Sequence, residues 1–302
     1  VGFAFGLHSL KSYKINPASI TISGVSSGAY MAVQMEIAFS KTIKGVGSVA
    51  GGVDWCAQGN IQIGQEQCMD TIVTTAVDLQ VQQVRDLAAQ GAIDPVDNLK
   101  DHVVYIYASP KDGVINPQNS ERLQKFYSAL EIPSPVPIEN HIESAHGFPT
   151  LHSGGPCSIG MLPWILNCNF DAAGEILKKM YGPLRARGAF EAGHLLAFSQ
   201  SDFGNEKTPL FSTGWIYVPS DCANGGTCRL HVVLHGCQMN PDYVGERFVT
   251  LAGYNEWAET NHIIVLYPQS ARIEKVNPFA CWDWFGFTGP NYIEKSGSQM
   301  SA

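Results

Sequence analysis

The chain has little charge, and none of it is clustered. Asp, Glu, Lys and Arg make up 15% of 302 residues, the net charge is −8, and no run of lysines or arginines occurs. That excludes a basic stripe for nucleic acid or an anionic bilayer and suits a neutral or cationic substrate. No apolar stretch approaches the ~20 residues that span a membrane. C-x-x-C is absent and no histidine stands at zinc-finger spacing from a cysteine, which argues against a metal site. Asn-x-Ser/Thr sequons, internal repeats and Pro- or Ser-rich linkers are missing as well. The expected organisation is therefore one domain over residues 1–302, with no separate substrate-binding domain.

What is present is a 45% hydrophobic content, ample for a sizeable core, and eight cysteines. Cys56 and Cys68, Cys157 and Cys168, and Cys222 and Cys228 are close neighbours, leaving Cys237 and Cys281. Four local disulfides are the simplest of the many pairings. Such stapling suits an oxidising compartment, so the expected location is extracellular or periplasmic. The apolar opening Val1-Gly2-Phe3-Ala4-Phe5-Gly6 reads equally as a mature N-terminus or as the remnant of a signal peptide.

The stretch that organises the chain is Ile20-Thr21-Ile22-Ser23-Gly24-Val25-Ser26-Ser27-Gly28-Ala29-Tyr30-Met31. It reads as a β-branched strand, a Gly-Val-Ser-Ser-Gly turn and a helix continuing to Phe39. That is the context in which G-x-S-x-G acts as a nucleophile elbow, because the glycines let two backbones crowd at a sharp turn. Ser26 then stands at the top of a sheet. The Ser27 amide lies at a helix N-terminus, where unpaired N–H groups face developing negative charge. A bare G-x-S-x-G is a weak signal, and its flanking strand and helix are what favour a catalytic Ser26.

Downstream, Val46–Gly52 reads as a buried parallel strand and residues 71–90 as a covering helix. His102–Ala108 is a strong strand that runs into Ser109-Pro110-Lys111-Asp112-Gly113. Alone, Asp112 is an Asp-Gly turn residue. Past the end of a buried strand, it lies where open α/β sheets place functional groups. A helix near 119–130 and a strand at Pro137–Glu143 lead to the loop carrying His146. The order Ser26, Asp112, His146 is the chain order of α/β-hydrolase triads. Among nine histidines, His8, His102, His141, His194 and His262 read as strand or strand-flanking positions. His152 is the nearest rival, and His146 is preferred because it sits closer to the strand end.

A helix at Ala172–Tyr181 and strands at Leu195–Gln200 and Gly214–Val218 precede the second informative run, Leu230-His231-Val232-Val233-Leu234-His235-Gly236-Cys237. It is a buried strand ending in His-Gly, the type of loop that supplies an oxyanion donor in hydrolases. Such a strand normally precedes the nucleophile. Here it follows Ser26 by some two hundred residues, ahead of a helix over 243–260 and a strand over 262–267. The fold class is thus α/β, an α/β-hydrolase fold in circularly permuted order.

Further segments sharpen this: Ser23–Met31, Ala145-His146-Gly147-Phe148-Pro149-Thr150, His231–Cys237, Gly253-Tyr254-Asn255-Glu256-Trp257-Ala258 and Cys281-Trp282-Asp283-Trp284. In them the chain resembles the fungal-type, single-domain extracellular poly(3-hydroxybutyrate) depolymerases, which are circularly permuted α/β-hydrolases. The resemblance covers nearly the whole chain. It implies Ser26 as nucleophile, His146 as general base and then acid, and Asp112 as the group orienting it. It also implies an oxyanion hole from the amides of Ser27 and Cys237, a bridge from Cys237 to Cys281, and Trp284 in the substrate crevice. Between Tyr267 and Cys281 the chain is more charged than the resemblance leads one to expect beside an apolar polyester, and the family continues into a terminal helix beyond the position of Ala302.

The expected function is that of a secreted, monomeric serine esterase hydrolysing poly(3-hydroxybutyrate) or related short-chain polyesters and oligomers through an acyl-enzyme, with no metal or organic cofactor. A carbohydrate esterase for acetyl or feruloyl groups and a soluble short-chain carboxylesterase share the same triad with a different pocket. A catalytically silent surface-binding module is disfavoured by the intact Ser26, Asp112 and His146. Trp282 and Trp284, two residues apart at strand spacing, are expected to place one ring inward.

Overall fold

The computed structural model describes residues 9–70, 76–132, 136–204 and 208–302. Its centre is an eight-stranded sheet. The strands in chain order are β1 (Ile15–Val25), β2 (Ile43–Val49), β3 (Val103–Tyr107), β4 (Ile138–Glu139), then, after a small separate sheet of β5 (Phe148–Thr150), β6 (Gly155–Pro156) and β7 (Ile165–Asn167), β8 (Leu195–Ser199), β9 (Thr213–Tyr217), β10 (Cys228–Leu234) and β11 (Ile263–Tyr267). Across the large sheet the order is β4-β3-β2-β1-β10-β11-β9-β8. The six strands from β4 to β11 are parallel, and β9 and β8 close the far edge antiparallel.

The period-two alternation of strands divides the interior into two layers. In β3, Val104 and Ile106 face the layer that holds Met31, Val33 and Phe126, while Tyr105 and Tyr107 face the layer of Ile176, Leu177 and Phe248. Helix α1 (Ser27–Ala38) packs on the first layer and is buried at every position but Met35. Parallel strands covered on both faces read as continuous apolar runs, and β11 does.

The circular order is visible in the sheet. Strand β1, first in the chain among the described residues, is central, and its neighbour β10 comes from the last third, with Gly24 opposite Leu234. All four disulfides are formed: Cys56–Cys68, Cys157–Cys168, Cys222–Cys228 and Cys237–Cys281. Among the described residues no helix is long and apolar enough to cross a membrane.

Several expected elements are shorter or broken. Of the helix expected over 71–90, residues 71–75 lie outside the described residues and Asp78–Ala89 is helical. The expected strand at Pro137–Glu143 pairs only at Ile138–Glu139. The apolar spacing over 243–260 is carried not by one helix but by three, Pro241–Val244, Arg247–Leu251 and Tyr254–Asn261. The breaks fall at Gly245 and Gly253, both at positive φ (59° and 91°), a backbone that no continuous helix contains. Trp282 and Trp284 lie outside any strand, and both are buried rather than alternating.

Candidate active site

Ser26 occupies the joint between β1 and α1 with φ 56° and ψ −122°, a region that L-residues rarely visit. The surroundings enforce it. The Ser26 amide donates to Val49 O at 2.9 Å, and its carbonyl accepts from Ala29 and Tyr30. Gly24 and Gly28 are required by close approach: a Cβ on Gly24 would lie 2.2 Å from Gly28 O, and one on Gly28 would lie 2.3 Å from His235 O. The two glycines thus let the elbow fold on itself and press against the end of β10.

Asp112 follows β3 and His146 precedes β5. His146 Nδ1 lies 2.8 Å from Asp112 Oδ2, with both side chains nearly buried. The other carboxylate oxygen accepts from the amides of Val114 and Ile115 at 2.8 and 2.9 Å, so the carboxylate is fixed from its own loop. That leaves His146 Nε2 as the ring nitrogen without a partner among the described residues. An edge of Trp164 packs on the imidazole with centroids 6.1 Å apart. His152, the rival in the same loop, is exposed and does not line the cavity that His146 lines.

The cavity has a volume of about 430 Å³ and brings together Ser26, Ser27, His146, Cys237 and Trp284. At its back, Gly236 approaches Ser26 closely enough that a Cβ there would lie 3.3 Å from Ser26 Cβ. Three consecutive amides meet here. Gly236 N–H points to Met239 Sδ at 3.3 Å and Gln238 N–H donates to Phe279 O at 2.7 Å, whereas Cys237 N–H has no acceptor among the described residues. Ser27, as the first residue of α1, presents its own amide at a helix N-terminus. The disulfide from Cys237 to Cys281 ties this loop to the segment bearing Trp284.

Trp284 is 7% exposed and packs against Tyr30 at 5.6 Å between centroids. Its turn is organised by Asp283, whose carboxylate accepts from the amides of Gly286, Phe287 and Thr288 and from the Thr288 hydroxyl.

Nothing in the sequence alone pointed to several further wall residues, among them Ile61, Trp164, Val276 and Phe279. The last two belong to the segment after Tyr267 whose charge looked ill-suited to an apolar ligand. There Arg272, Glu274 and Lys275 are exposed, and Val276 and Phe279, about half exposed, line the cavity. The segment is two-sided, and mean composition hides that.

No family model matches the sequence. Over 314 residues the chain is 34% identical to a polyhydroxybutyrate depolymerase of Talaromyces funiculosus, covering 97% of this chain and 89% of that one. The chain belongs to the polyhydroxybutyrate depolymerase family. A poly(3-hydroxybutyrate) depolymerase of Delftia acidovorans is 39% identical over 307 residues, and although all of this chain is matched, it spans only 61% of that depolymerase's length. Among solved structures, a PHB depolymerase from Penicillium funiculosum superposes with a TM-score of 0.88 at 32% identity, covering 97% of this chain and 96% of that one. A serine-to-alanine PHB depolymerase complexed with an R3HB trimer gives 0.89 at 32% identity, with 97% and 95% covered. The permuted sheet is therefore shared with depolymerases of known structure.

Proposed function

We propose that this chain is a serine esterase that hydrolyses poly(3-hydroxybutyrate) and its oligomers. The observation that carries the reading is that the strained Ser26 and the Asp112–His146 pair open onto one cavity with largely apolar walls. In the proposed reaction His146 Nε2 takes the Ser26 hydroxyl proton as Oγ attacks an ester carbonyl. The tetrahedral oxyanion sits between the amides of Ser27 and Cys237. Protonated His146 then gives its proton to the leaving hydroxyl as the C–O bond breaks, and an acyl-Ser26 remains. Water attacks the acyl group, passing its proton through His146 back to Ser26, and the acid is released. Asp112 keeps Nδ1 protonated throughout, which is the tautomer the reaction needs.

The wall supports the substrate class. Hydroxybutyrate units carry no charge along the chain, and Trp284, Phe285, Ile61, Val276 and Phe279 offer apolar contact. The trimer held by the structural relative supports a short run of such units as occupant. Four disulfides support export to an oxidising compartment. A single catalytic domain acting as a monomer completes the proposal.

The test compares wild type with Ser26→Ala on suspended poly(3-hydroxybutyrate) and on a soluble short-chain ester, following acid release. The expected result is clearing of the polymer by wild type alone. Cleavage of the soluble ester with the polymer left untouched retires the polymer assignment and keeps the chemistry.

A further inference from the structure

The oxyanion-hole assignment above concerns two backbone amides, and what aims the second of them is a buried histidine. His235 is fully buried, with its ring between Phe248 and Trp282 at 6.3 and 5.5 Å between centroids. Both ring nitrogens are engaged, and their partners fix the tautomer. Nδ1 lies 2.7 Å from Gly236 O, which can only accept, so Nδ1 carries the proton. Nε2 lies 3.1 Å from the Ser270 amide, which can only donate, so Nε2 is bare. Burial agrees with a neutral ring, since it pushes the imidazole down to about 4.

The Gly236 carbonyl and the Cys237 N–H belong to one planar trans peptide and point in opposite directions. Holding the carbonyl on the His235 side of the loop turns the Cys237 N–H to the other side, where Ser26 and the cavity lie. A flip of this peptide would replace a donor at the oxyanion site with a carbonyl oxygen. The flanking bonds from Gly236 N–H to Met239 and from Gln238 N–H to Phe279 hold the neighbouring peptides, and the Gly236 carbonyl itself takes its shorter bond, 2.7 Å, from His235 and a longer one, 3.3 Å, from the Met239 N–H. Meanwhile Ser270 carries the segment onward, its hydroxyl donating to Ala280 O beside Cys281.

We propose that His235 is a positioning residue for ester hydrolysis, whose Nδ1–H fixes the Gly236–Cys237 peptide with its amide aimed at the oxyanion. This rests on the esterase reading above. It makes a prediction that simple support of the core does not, because the two hydrogen bonds of the ring can be kept one at a time. In His235→Asn the side-chain amide nitrogen falls where Nδ1 was and keeps the bond to Gly236 O. In His235→Gln the side-chain oxygen reaches the Nε2 position and keeps the Ser270 bond alone.

The experiment measures kcat and KM for a soluble short-chain ester in wild type, Ser26→Ala and both His235 variants, with thermal melting of each. Losing the aim of one oxyanion donor is expected to lower kcat by roughly 10- to 100-fold in His235→Gln, with KM held within about two-fold. His235→Asn is expected to keep kcat within about three-fold of wild type while melting lower. Wild-type kcat in His235→Gln, or equal losses in both variants, overturns the proposal. Should His235→Gln fail to fold, nitrogen-resolved NMR of the wild-type histidines decides: a protonated Nδ1 and a bare Nε2 on His235 support it, and the reverse tautomer overturns it. Wild type that hydrolyses no ester removes the esterase reading and this inference together, whereas an active wild type with an indifferent His235 removes the inference alone.

Discussion

Asp112 and His146 reach each other by a side-chain hydrogen bond from two loops at the ends of parallel strands, whereas Ser27 and Cys237 offer only backbone, aimed by groups behind them. The proposed acid–base half is local, since Asp112 is held by amides two and three residues along its own loop. The proposed oxyanion half is assembled from afar. It draws on the first residue of α1, the end of β10, a bridge to Cys281 and a ring that also binds Ser270. Side-chain chemistry sets the first half, and long-range packing sets the second. Damage to each should show differently.

The largest effect is expected from the acid–base half. Asp112→Asn removes the carboxylate that holds the Nδ1 tautomer and is expected to lower kcat by about 10⁴-fold while leaving the melting temperature within a few degrees, measured by ester turnover and by thermal melting. Breaking the oxyanion half should cost less in rate and more in stability. The double variant Cys237→Ala with Cys281→Ala opens a bridge of sequence separation 44. It is expected to lose about 2–4 kcal/mol of stability in urea unfolding and about ten-fold in kcat. An equal rate loss in both experiments would erase the distinction between the halves.

The cavity wall gives the next smaller effect. Trp284→Phe keeps an aromatic face against Tyr30 but shortens it, and KM for a hydroxybutyrate trimer is expected to rise several-fold with kcat nearly unchanged. A fall in kcat alone would move Trp284 from contact with the substrate to support of the Tyr30 ring it packs on.

The smallest effect on turnover is expected from titrating groups in the interior, which act on stability. Burial pushes His231 and His235 down to about 3 and about 4. The unfolded chain takes up these protons near 6.5 and the folded chain does not, so both histidines remove stability as pH falls below that value. Asp54 acts in the opposite sense. Burial raises its carboxyl to about 7 from an ordinary 3.8, so the folded chain holds a proton that the unfolded chain has released, and stability is lost as pH rises between those values. Asp54→Asn is therefore expected to raise the urea midpoint at pH 7.5, with the gain fading as pH approaches 4. At about 1.4 kcal/mol per pKa unit the gain is on the order of a few kcal/mol at most. A gain that is the same at both pH values would show that Asp54 does not titrate in this window.

The two halves also differ in how legible they are in the sequence. Ser26, Asp112 and His146 are readable because each lies before or after a strand and within two residues of a glycine, so local pattern places them near strand ends. The permutation is readable from one misplaced element, the His-Gly strand downstream of the elbow. The cavity wall is not, because Val276 and Phe279 share a segment with Arg272, Glu274 and Lys275, and only the folded loop brings the first two, and not the charged three, to the cavity. Nor is the role of His235, since it depends on where the Ser270 amide arrives. The single long helix expected over 243–260 fails for a simpler reason: its apolar spacing is helical, and two glycines override it.

The central position of β1 has a consequence for biosynthesis. Its edge toward β2 finds a partner within a few dozen residues of synthesis, but its other edge pairs with β10, and the Thr21–His231 contact across that pair spans a separation of 210 residues. A nascent chain emerging at about 5–20 residues per second therefore carries the elbow strand half-paired for roughly ten seconds or more before its second neighbour exists. During that interval this strand edge is open to any other extended chain. Yield on expression should accordingly depend less on the stability of the finished fold than on how well the cell shields that one unfinished edge.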